Sequence, residues 1–561
     1  MTTMTRGGFA SAASSLEFNT GGWRLARPEH RGRHAPCETS CPAGENPRAY
    51  LGAAADGDLR AAWEKLVEAN PLPAITGRVC HHPCETGCNR GQYDEPIAIH
   101  SIERFLGDRA IEAGWDYPVG APGGDAPAAA IVGAGPAGLS AAYHLLKRGI
   151  KPVLFDAQPA AGGLLRSALP PYRLPRTILD REIERVIAAG IDFRPDKRIG
   201  RDISIEELRA DYRAVFLAPG AERPRRWSAD GAEPARMRYG LDLLKSWTSV
   251  GDLPVKGKIA IVGGGNTAID LARVLKFAGA TEVHVITFQA LPGAAAVPDA
   301  MSAVAREIRQ AVEEGVIIHD HRGIRRLIMR GEKLEAVEMV HMREMDDSGR
   351  GRRLVAFEGT ETILKADEVI PAIGQEVNSA GFESVIGRGP FFHADRFGRL
   401  ADHAGIFAGG DACGAAGTVS GAIGDGRRAA RAIEAYLRGT APPEQAVIEP
   451  IAYRHLNLSY FDHAPRAAAP ILSASERSAG NEIESSISQA GVHAEAERCF
   501  SCGECMACDN CWTLCPDNSV LKLAGAPPGR DRYVFDYEHC KGCGICAHEC
   551  PAGFIMMIDE N

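Results

Sequence analysis

Ten of the sixteen cysteines lie between residues 499 and 550, five between 37 and 88, and one stands alone at 413. The C-terminal group holds two complete runs, Cys505-x2-Cys508-x2-Cys511-x3-Cys515-Pro516 and Cys540-x2-Cys543-x2-Cys546-x3-Cys550-Pro551. Thiolates are soft ligands suited to iron and sulfide, and where two such runs occur together the fourth cysteine of each crosses to the cluster of the other. Cys505, Cys508, Cys511 and Cys550 are therefore expected around one [4Fe-4S] cluster, and Cys540, Cys543, Cys546 and Cys515 around a second. Structural zinc sites do not use two crossed runs ending in Cys-Pro. Cys499 and Cys502 extend the first run backward as RCFSCGECMAC; they offer an alternative register, a partner-facing site or nothing, and stay unassigned.

The N-terminal five form Cys37-x3-Cys41-Pro and Cys80-x3-Cys84-x3-Cys88 on either side of a helical stretch. They suffice for one cluster and not for two. Cys413 reads as a free buried cysteine, since no resolving cysteine neighbours it. Cysteine runs of this kind in a long chain point to metal and a reducing compartment rather than to a secreted disulfide framework.

Two glycine-rich units supply a different chemistry. In AAAIVGAGPAGLSAAYHLLKRGIKPVLFDAQ an apolar strand runs into Gly133-x-Gly135-x-x-Gly138, then a helix, then a strand ending at Asp156. The first glycine allows the tight turn, the second the approach of a pyrophosphate, and the third close packing of helix on strand. The helix N-terminus, opening at Pro136 and Ala137, offers free N–H groups to phosphate, and Asp156 is placed to accept from a ribose hydroxyl. The second unit, KIAIVGGGNTAIDLARVLKFAGATEVHVITFQ, repeats the logic with Gly263-x-Gly265-x-x-Ala268. Two such units suggest two dinucleotides. A third feature, GIFAGGDACGAAGTVSGAIGDGRRAARAIEAYL, places Asp411 after a short strand and opens a helix near Val419 that can aim its N-terminus at a cofactor.

The elements needed to position these residues fit 561 residues, too many for one core. An arm and a helical iron–sulfur segment occupy 1–127. An alternating β/α region spans 128–254, 255–368 and 369–440, a mixed connector wrapping over it follows at 441–490, and a compact cysteine-rich tail fills 491–561. The net charge of −9 is mild and argues against nucleic-acid binding. No run approaches the ~18 apolar residues of a membrane span, and the N-terminus lacks a compact apolar segment with a cleavage site, so a cytoplasmic location is expected.

The stretches PLPAITGRVC, GAGPAGLS, GGLLRSALPPYRLPRTILDREIE, VFLAPGA, VGGGNTAID and GGDACG…TVSGAIGDGR make residues 37–440 resemble the glutamate synthase small-subunit family, flavoproteins related to the disulfide reductases. The resemblance implies an α/β fold with two Rossmann-like domains, the NAD domain inserted in the FAD domain, between an N-terminal helical iron–sulfur domain and a C-terminal bacterial-type ferredoxin domain. It implies that the first unit binds FAD and the second the nicotinamide nucleotide, with contacts from Gly163, Leu164, Arg173, Gly220, Gly374, Gly410, Asp411, Thr418 and Ala422 to the cofactors and from Asn266 and Thr267 in the second motif. It also implies that Cys41, Cys80 and Cys84 share a cluster with Glu103. A second family cluster would need Cys37, Cys88 and two further upstream cysteines; the upstream residues RPEHRGRHAP contain none, and His34 there reads as an ordinary surface residue. One N-terminal [4Fe-4S] cluster is expected, its ligand set open.

Three departures shape the functional reading. NADPH-using relatives carry adjacent arginines after the second strand of the nicotinamide unit, whereas here that strand ends in Thr287, Phe288 and Gln289. A 2′-phosphate needs an arginine partner, so NAD(H) is expected over NADP(H). No C-x-x-C faces the flavin in the first unit, which argues against disulfide chemistry. The tail, DYEHCKGCGICAHECPAGFIMMIDEN, is similar to the ferredoxin-like component of 2-oxoacid:ferredoxin oxidoreductases, which implies thiamine diphosphate-dependent 2-oxoacid oxidoreductase subunits as partners. A flavin joins a two-electron carrier to one-electron clusters, so the expected activity is electron transfer between clusters and NAD(H), with no catalytic acid or base. The alternatives are a glutamate synthase small-subunit-like protein feeding another large enzyme, and a non-catalytic electron-wiring scaffold.

Overall fold

The computed structural model describes residues 4–6, 19–231, 237–293, 299–346, 352–414, 417–442, 444, 449–527, 529 and 532–560. The chain folds into two units, one of Asp116–Pro443 with Pro470–Ser485 and one of Met1–Trp115, Glu444–Ala469 and Ser486–Asn561.

In the first of these, the apolar run Ala128–Val132 is the middle strand of a five-stranded parallel sheet in the order Ile406–Ala408, Val215–Leu217, Ala128–Val132, Lys151–Phe155, Asp192–Arg194. Strands covered on both faces read as continuous apolar runs, as this one does. The chain leaves the sheet after Leu217 and returns at Ile406. Between these points it builds a second parallel sheet, ordered Val316–His319, Glu282–Ile286, Lys258–Val262, Glu368–Pro371. The short strands Arg223–Pro224 and Gln375–Glu376 pair where the chain goes out and comes back. The nicotinamide-type domain is thus inserted in the flavin-type domain, as the resemblance implies. A three-stranded antiparallel sheet of Arg322–Arg330, Lys333–Asp346 and Arg352–Lys365 adds a layer that the glycine motifs do not announce.

Each parallel sheet has its own core. Val132, Phe155, Leu217 and Ile406 pack with Phe382 and Phe392; Ile259, Ile261, Val283 and Ile370 pack with Leu271 and Leu275 from one helix. Each such side chain contributes about 1.5–3 kcal/mol on leaving water. Helix Pro136–Leu146 crosses helix Val419–Arg438 at close range: a Cβ on Gly426 would stand 2.2 Å from the Ala137 carbonyl oxygen, and Ser140 Oγ donates to the Ile423 carbonyl at 2.7 Å.

The other unit is built from helices Pro47–Ala55, Leu59–Leu66, Pro73–Val79 and Ile99–Ala113 around the fully buried Trp63. Asn46 and Asp58 cap the first two by accepting from Ala49 N–H and Ala61 N–H. The last two cross almost backbone to backbone, since a Cβ on Gly77 would lie 2.4 Å from Arg104 N and one on Gly107 2.2 Å from Ala74 N. The N-terminal arm is in part a strand of the tail: Ala26–His30 runs antiparallel to Ile555–Asp559. The connector also divides. Residues 444–469 join the cysteine-bearing unit, where Tyr93 Oη donates to the Phe461 carbonyl at 2.7 Å and Asn457 Nδ2 to the His548 carbonyl at 2.8 Å. Residues 470–485 join the nucleotide unit through Arg477, which pairs with Glu313 and Glu314. No helix among the described residues is long and apolar enough to cross a membrane.

Candidate functional sites

The two cysteine runs of the tail interdigitate. Cys505, Cys508, Cys511 and Cys550 line one pocket of about 340 Å³, with His30, Tyr533 and Phe554 on its walls. Cys515, Cys540, Cys543 and Cys546 line another of about 320 Å³, with Pro28 and Val520. The fourth cysteine of each run stands in the pocket of the other. Backbone N–H groups already point at sulfur: Ser519 N–H reaches Cys515 Sγ at 3.3 Å and Phe554 N–H reaches Cys550 Sγ at 3.3 Å. All sixteen cysteines are free.

The five N-terminal cysteines separate into two groups. Cys41 follows the short helix Pro36–Ser40, Cys80 ends helix Pro73–Val79, and Cys84 lies on Pro83–Thr86. Burial pushes the Cys84 thiol well above its ordinary value, with Glu103, Glu85, Cys41 and Cys80 adding to it; burial and the Glu45 and Glu103 carboxylates do the same to Cys41. Glu103 is buried and accepts from Thr76 Oγ1 at 3.1 Å, and burial followed by Glu45 pushes its carboxyl upward. Asn70 holds this acidic pair in place, donating to Glu45 at 2.9 Å and to Thr76 at 2.7 Å. Cys41, Cys80, Cys84 and Glu103 thus share one locale. Cys37 and Cys88 face a different pocket, of about 350 Å³, whose walls include Cys499, Cys502, Arg48 and Asn89. His34 is not on that wall; it pairs with Glu38 at 2.5 Å.

Sulfur spacing discriminates between metals. Among the described residues, three or more side-chain ligand atoms lie within 4.8 Å of one another only at His82, Glu85 and His100. The sulfurs of a four-cysteine zinc site lie about 3.8 Å apart, from Zn–S bonds of about 2.3 Å in a tetrahedron. The described cysteine quartets do not reach that spacing. At the histidine group, His100 Nδ1 and Glu85 Oε1 are 2.7 Å apart and Arg466 reaches Glu85 at 2.6 Å. Although burial pushes Glu85 up, His100, His82 and Arg466 hold its carboxyl well below the usual range.

In the nucleotide unit the first glycine loop meets the elements that the resemblance assigns to FAD. Gly133 has φ +100°, and a Cβ there would lie 2.1 Å from the Ala218 carbonyl. Gly135 faces Gly163, the residue before the turn Leu164–Ser167. Gly410, beside Asp411, would touch Ala137 and Ala422 with an added Cβ. Two helix N-termini lie close to this cradle: Pro136–Leu146 has no side-chain cap at Gly135, and Val419–Arg438 is capped by Thr418, which accepts from Gly421 N–H at 3.2 Å. Uncapped N–H groups and a cradle that a Cβ would fill fit a pyrophosphate. Asp156 braces the loop as well, accepting from Ala134 N–H at 2.6 Å; burial pushes its carboxyl up. Gly220 lies in the loop after strand Val215–Leu217, and Gly374 follows Glu368–Pro371, accepting from Arg225 N–H at 3.1 Å.

The second loop is alike. Gly263 has φ +134° and would clash with the Ala372 carbonyl at 2.4 Å if it had a Cβ, and helix Asn266–Phe277 opens at Gly265 without a side-chain cap. Asn266 Oδ1 accepts from Val304 N–H at 3.0 Å, Thr267 Oγ1 from Gln375 Nε2 at 3.3 Å, and Ala268 is buried. Thr287 and Gln289 lean on this loop, within 2.6 Å of where a Cβ on Gly264 would be.

Residues 127–426 match the pyridine nucleotide-disulphide oxidoreductase family, residues 30–115 the dihydropyrimidine dehydrogenase domain II 4Fe-4S cluster family, and residues 504–554 the 4Fe-4S dicluster domain family. The NADP(+)-dependent formate dehydrogenase subunit beta of Moorella thermoacetica is 36% identical over 83% of this chain and 70% of its own. The NADPH-Fe(3+) oxidoreductase subunit beta of Geobacter sulfurreducens is 34% identical over 83% of this chain and 75% of its own. The glutamate synthase [NADPH] small chain of Mycobacterium tuberculosis is 30% identical over 72% of this chain and 86% of its own. The chain belongs to the pyridine nucleotide-disulphide oxidoreductase family.

Within that family it is a glutamate synthase small-subunit-like FAD/NAD(P) oxidoreductase with 4Fe-4S domains at both ends. Two placements add to what the sequence suggests. Arg173, expected at a cofactor, is engaged by Asp270 at 2.8 and 3.0 Å within a buried network that includes Glu307, Arg273 and Glu314. Cys499 and Cys502, left without a role, stand with Cys37 and Cys88. Their signal was present in the sequence as two surplus cysteines at one end and two unmatched ones at the other. Cys413 is half-buried beside the flavin-type turn, its thiol pushed up to about 12 by burial and by Asp425.

Proposed function

We propose that this chain is the nucleotide-coupling subunit of a larger redox enzyme, passing electrons between ferredoxin-type clusters and NAD(H). The observation that carries this reading is the union, in one polypeptide, of two glycine-rich strand–turn–helix loops with quartets of cysteines that line shared pockets. FAD, when bound, supplies the exchange between hydride and single electrons that nicotinamide and clusters cannot make with each other. The first glycine loop, with Gly163, Gly410 and Asp411, would hold FAD, and Gly263, Gly265 and the helix opening at Asn266 the nicotinamide nucleotide. Cys505, Cys508, Cys511 and Cys550 would hold one [4Fe-4S] cluster, Cys515, Cys540, Cys543 and Cys546 a second, and Cys41, Cys80 and Cys84 with Glu103 a third. No side-chain acid or base is required; the chain's work is positioning, exclusion of water and tuning through N–H···S bonds. Anaerobic addition of NADH should bleach the flavin absorbance and then the broad visible absorbance of the clusters. An unbleached flavin would leave only a wiring scaffold.

The NAD(H) preference is supported by Thr287, Phe288 and Gln289 at the end of the nicotinamide strand. NADPH is the second reading, favoured by the NADP-linked names of relatives and by Arg322, whose N–H bonds the Thr287 carbonyl at 2.8 Å. The ratio of kcat/KM for the two nucleotides decides between them. For the partner, the tail's similarity supports thiamine diphosphate-dependent 2-oxoacid oxidoreductase subunits in the cytoplasm. A formate-oxidising partner is the second reading, supported by the Moorella relative, which is 36% identical over 83% of this chain. Anaerobic co-purification from the native source, followed by identification of the large subunits and assay with a 2-oxoacid and with formate, distinguishes the two.

A further inference from the structure

We propose that Cys37, Cys88, Cys499 and Cys502 together hold a further [4Fe-4S] cluster, a site whose ligands come in equal number from the two ends of the chain. The proposal rests on the reading of the other cysteine quartets as cluster sites and adds one to them. The four cysteines line a single pocket of about 350 Å³, the size of the pockets lined by the two crossed runs, about 320 and 340 Å³. No three of the sulfurs come within 4.8 Å of one another, too wide for one tetrahedral zinc, and none is in a disulfide. Four thiolates facing one pocket would repel one another as bare anions. A ferrous and ferric core bridged by sulfide removes that repulsion, the four thiols releasing their protons as they ligate iron.

The surroundings are those of a cluster site. Asn89 Nδ2 donates toward Cys502 Sγ at 3.6 Å and Ser501 N–H toward Cys499 Sγ at 3.5 Å, matching the N–H···S bonds in the tail. Arg48 and Arg90 line the pocket and offset its negative charge. Arg48 also fixes the incoming loop by donating to the Cys502 carbonyl at 2.7 Å, and Arg90 donates to the Arg498 carbonyl at 2.6 Å. Gly503 is pinned on both sides, its N–H donating to the Ala552 carbonyl at 2.7 Å and its carbonyl accepting from Arg33 N–H at 3.2 Å.

Position gives the site a role. Cys502 is three residues from Cys505 of one tail pocket, while Cys37 and Cys88 are each four residues from Cys41 and Cys84 of the Glu103 site. Three residues span at most about 10 Å of chain, and four about 6 Å along a helix. The cluster therefore stands between its neighbours as a one-electron relay, accepting an electron from one and passing an electron to the other, with no net change in itself.

Iron and acid-labile sulfide in the full chain, purified anaerobically, test the proposal. C499S/C502S should lose about four irons and about four sulfides per chain relative to the unaltered protein, C37S/C88S the same, and the quadruple variant no more than either. Undiminished iron in C499S/C502S, or additive losses in the quadruple variant, overturns it. Failure of the tail clusters themselves would show separately, as iron missing from the unaltered chain and insensitive to Cys508→Ser. Should the double variants not fold, Asn89→Ala keeps the idea testable: an EPR-monitored redox titration should show the midpoint of a single cluster shifted, and a titration identical to that of the unaltered chain overturns the proposal.

Discussion

At the scale of single residues, burial removes much of a side chain's ordinary chemical freedom. Cys413 illustrates this. Its thiol is pushed up to about 12 by burial and then by Asp425, and the thiolate is the nucleophile in alkylation. Raising the folded pKa above the unfolded value keeps the proton on throughout the neutral range, so native Cys413 should react with iodoacetamide at pH 8 roughly a thousandfold more slowly than the unfolded chain, recovering only as pH rises toward 12. With the other fifteen cysteines in the four locales, cluster-loaded protein should show less than one modified cysteine per chain by mass spectrometry. Gln289 carries the complementary prediction. It leans on the second glycine loop at the end of the strand Glu282–Ile286, where an arginine would meet a 2′-phosphate. Gln289→Arg should raise the NADPH-to-NADH ratio of kcat/KM about tenfold or more, the worth of one charge-assisted pair. An unchanged ratio would mean that the ribose lies elsewhere.

At the scale of elements, the glycine units were legible because the sequence pattern is itself a local structure: the glycines that end a strand also begin a helix. The antiparallel sheet of 322–365 and the strand Ala26–His30 carry no such signature. ARPEH has no apolar alternation and becomes a strand only because Ile555–Asp559 offers it an edge. Arg173 has a structural use that its sequence context does not announce, since a buried arginine in a matched stretch serves phosphate and carboxylate equally well. Here it joins Asp270, Glu307, Arg273, Glu314 and Arg477 in one network. The network ties the segment around Arg173 and the returning segment 470–485 to helices Asn266–Phe277 and Ala305–Glu313. Arg273, whose side chain is fully buried, sits at its centre. Removing one partner leaves buried carboxylates without compensation, at a cost of about 3–5 kcal/mol. Arg273→Met should therefore lower the urea midpoint of the nucleotide unit by that equivalent, read by release of flavin fluorescence, while the iron content stays constant. Surface pairs such as Arg201–Asp202 should show no comparable effect.

At the scale of the whole molecule, the cysteine-rich tail looks in the sequence like an appended module, with its ligand runs complete and a boundary near residue 490. The folded unit argues otherwise. The tail takes a strand from residues 26–30, walls its pockets with Pro28 and His30, and sends Cys499 and Cys502 to Cys37 and Cys88. None of this was legible, because partners more than 400 residues apart leave no local spacing to read. A chain lacking residues 486–561 separates the two views. If the tail were a module, the truncated protein would lose only the iron of the two crossed quartets, about eight atoms. If the two ends are one unit, it should lose about 12, because Cys37 and Cys88 are left as half a site. Flavin content serves as the control for folding, since every residue of the glycine cradles lies in Asp116–Pro443, and it should be unchanged. A loss of eight irons with flavin retained would restore the modular view; a loss of 12 would mean that the two ends of the chain form one unit.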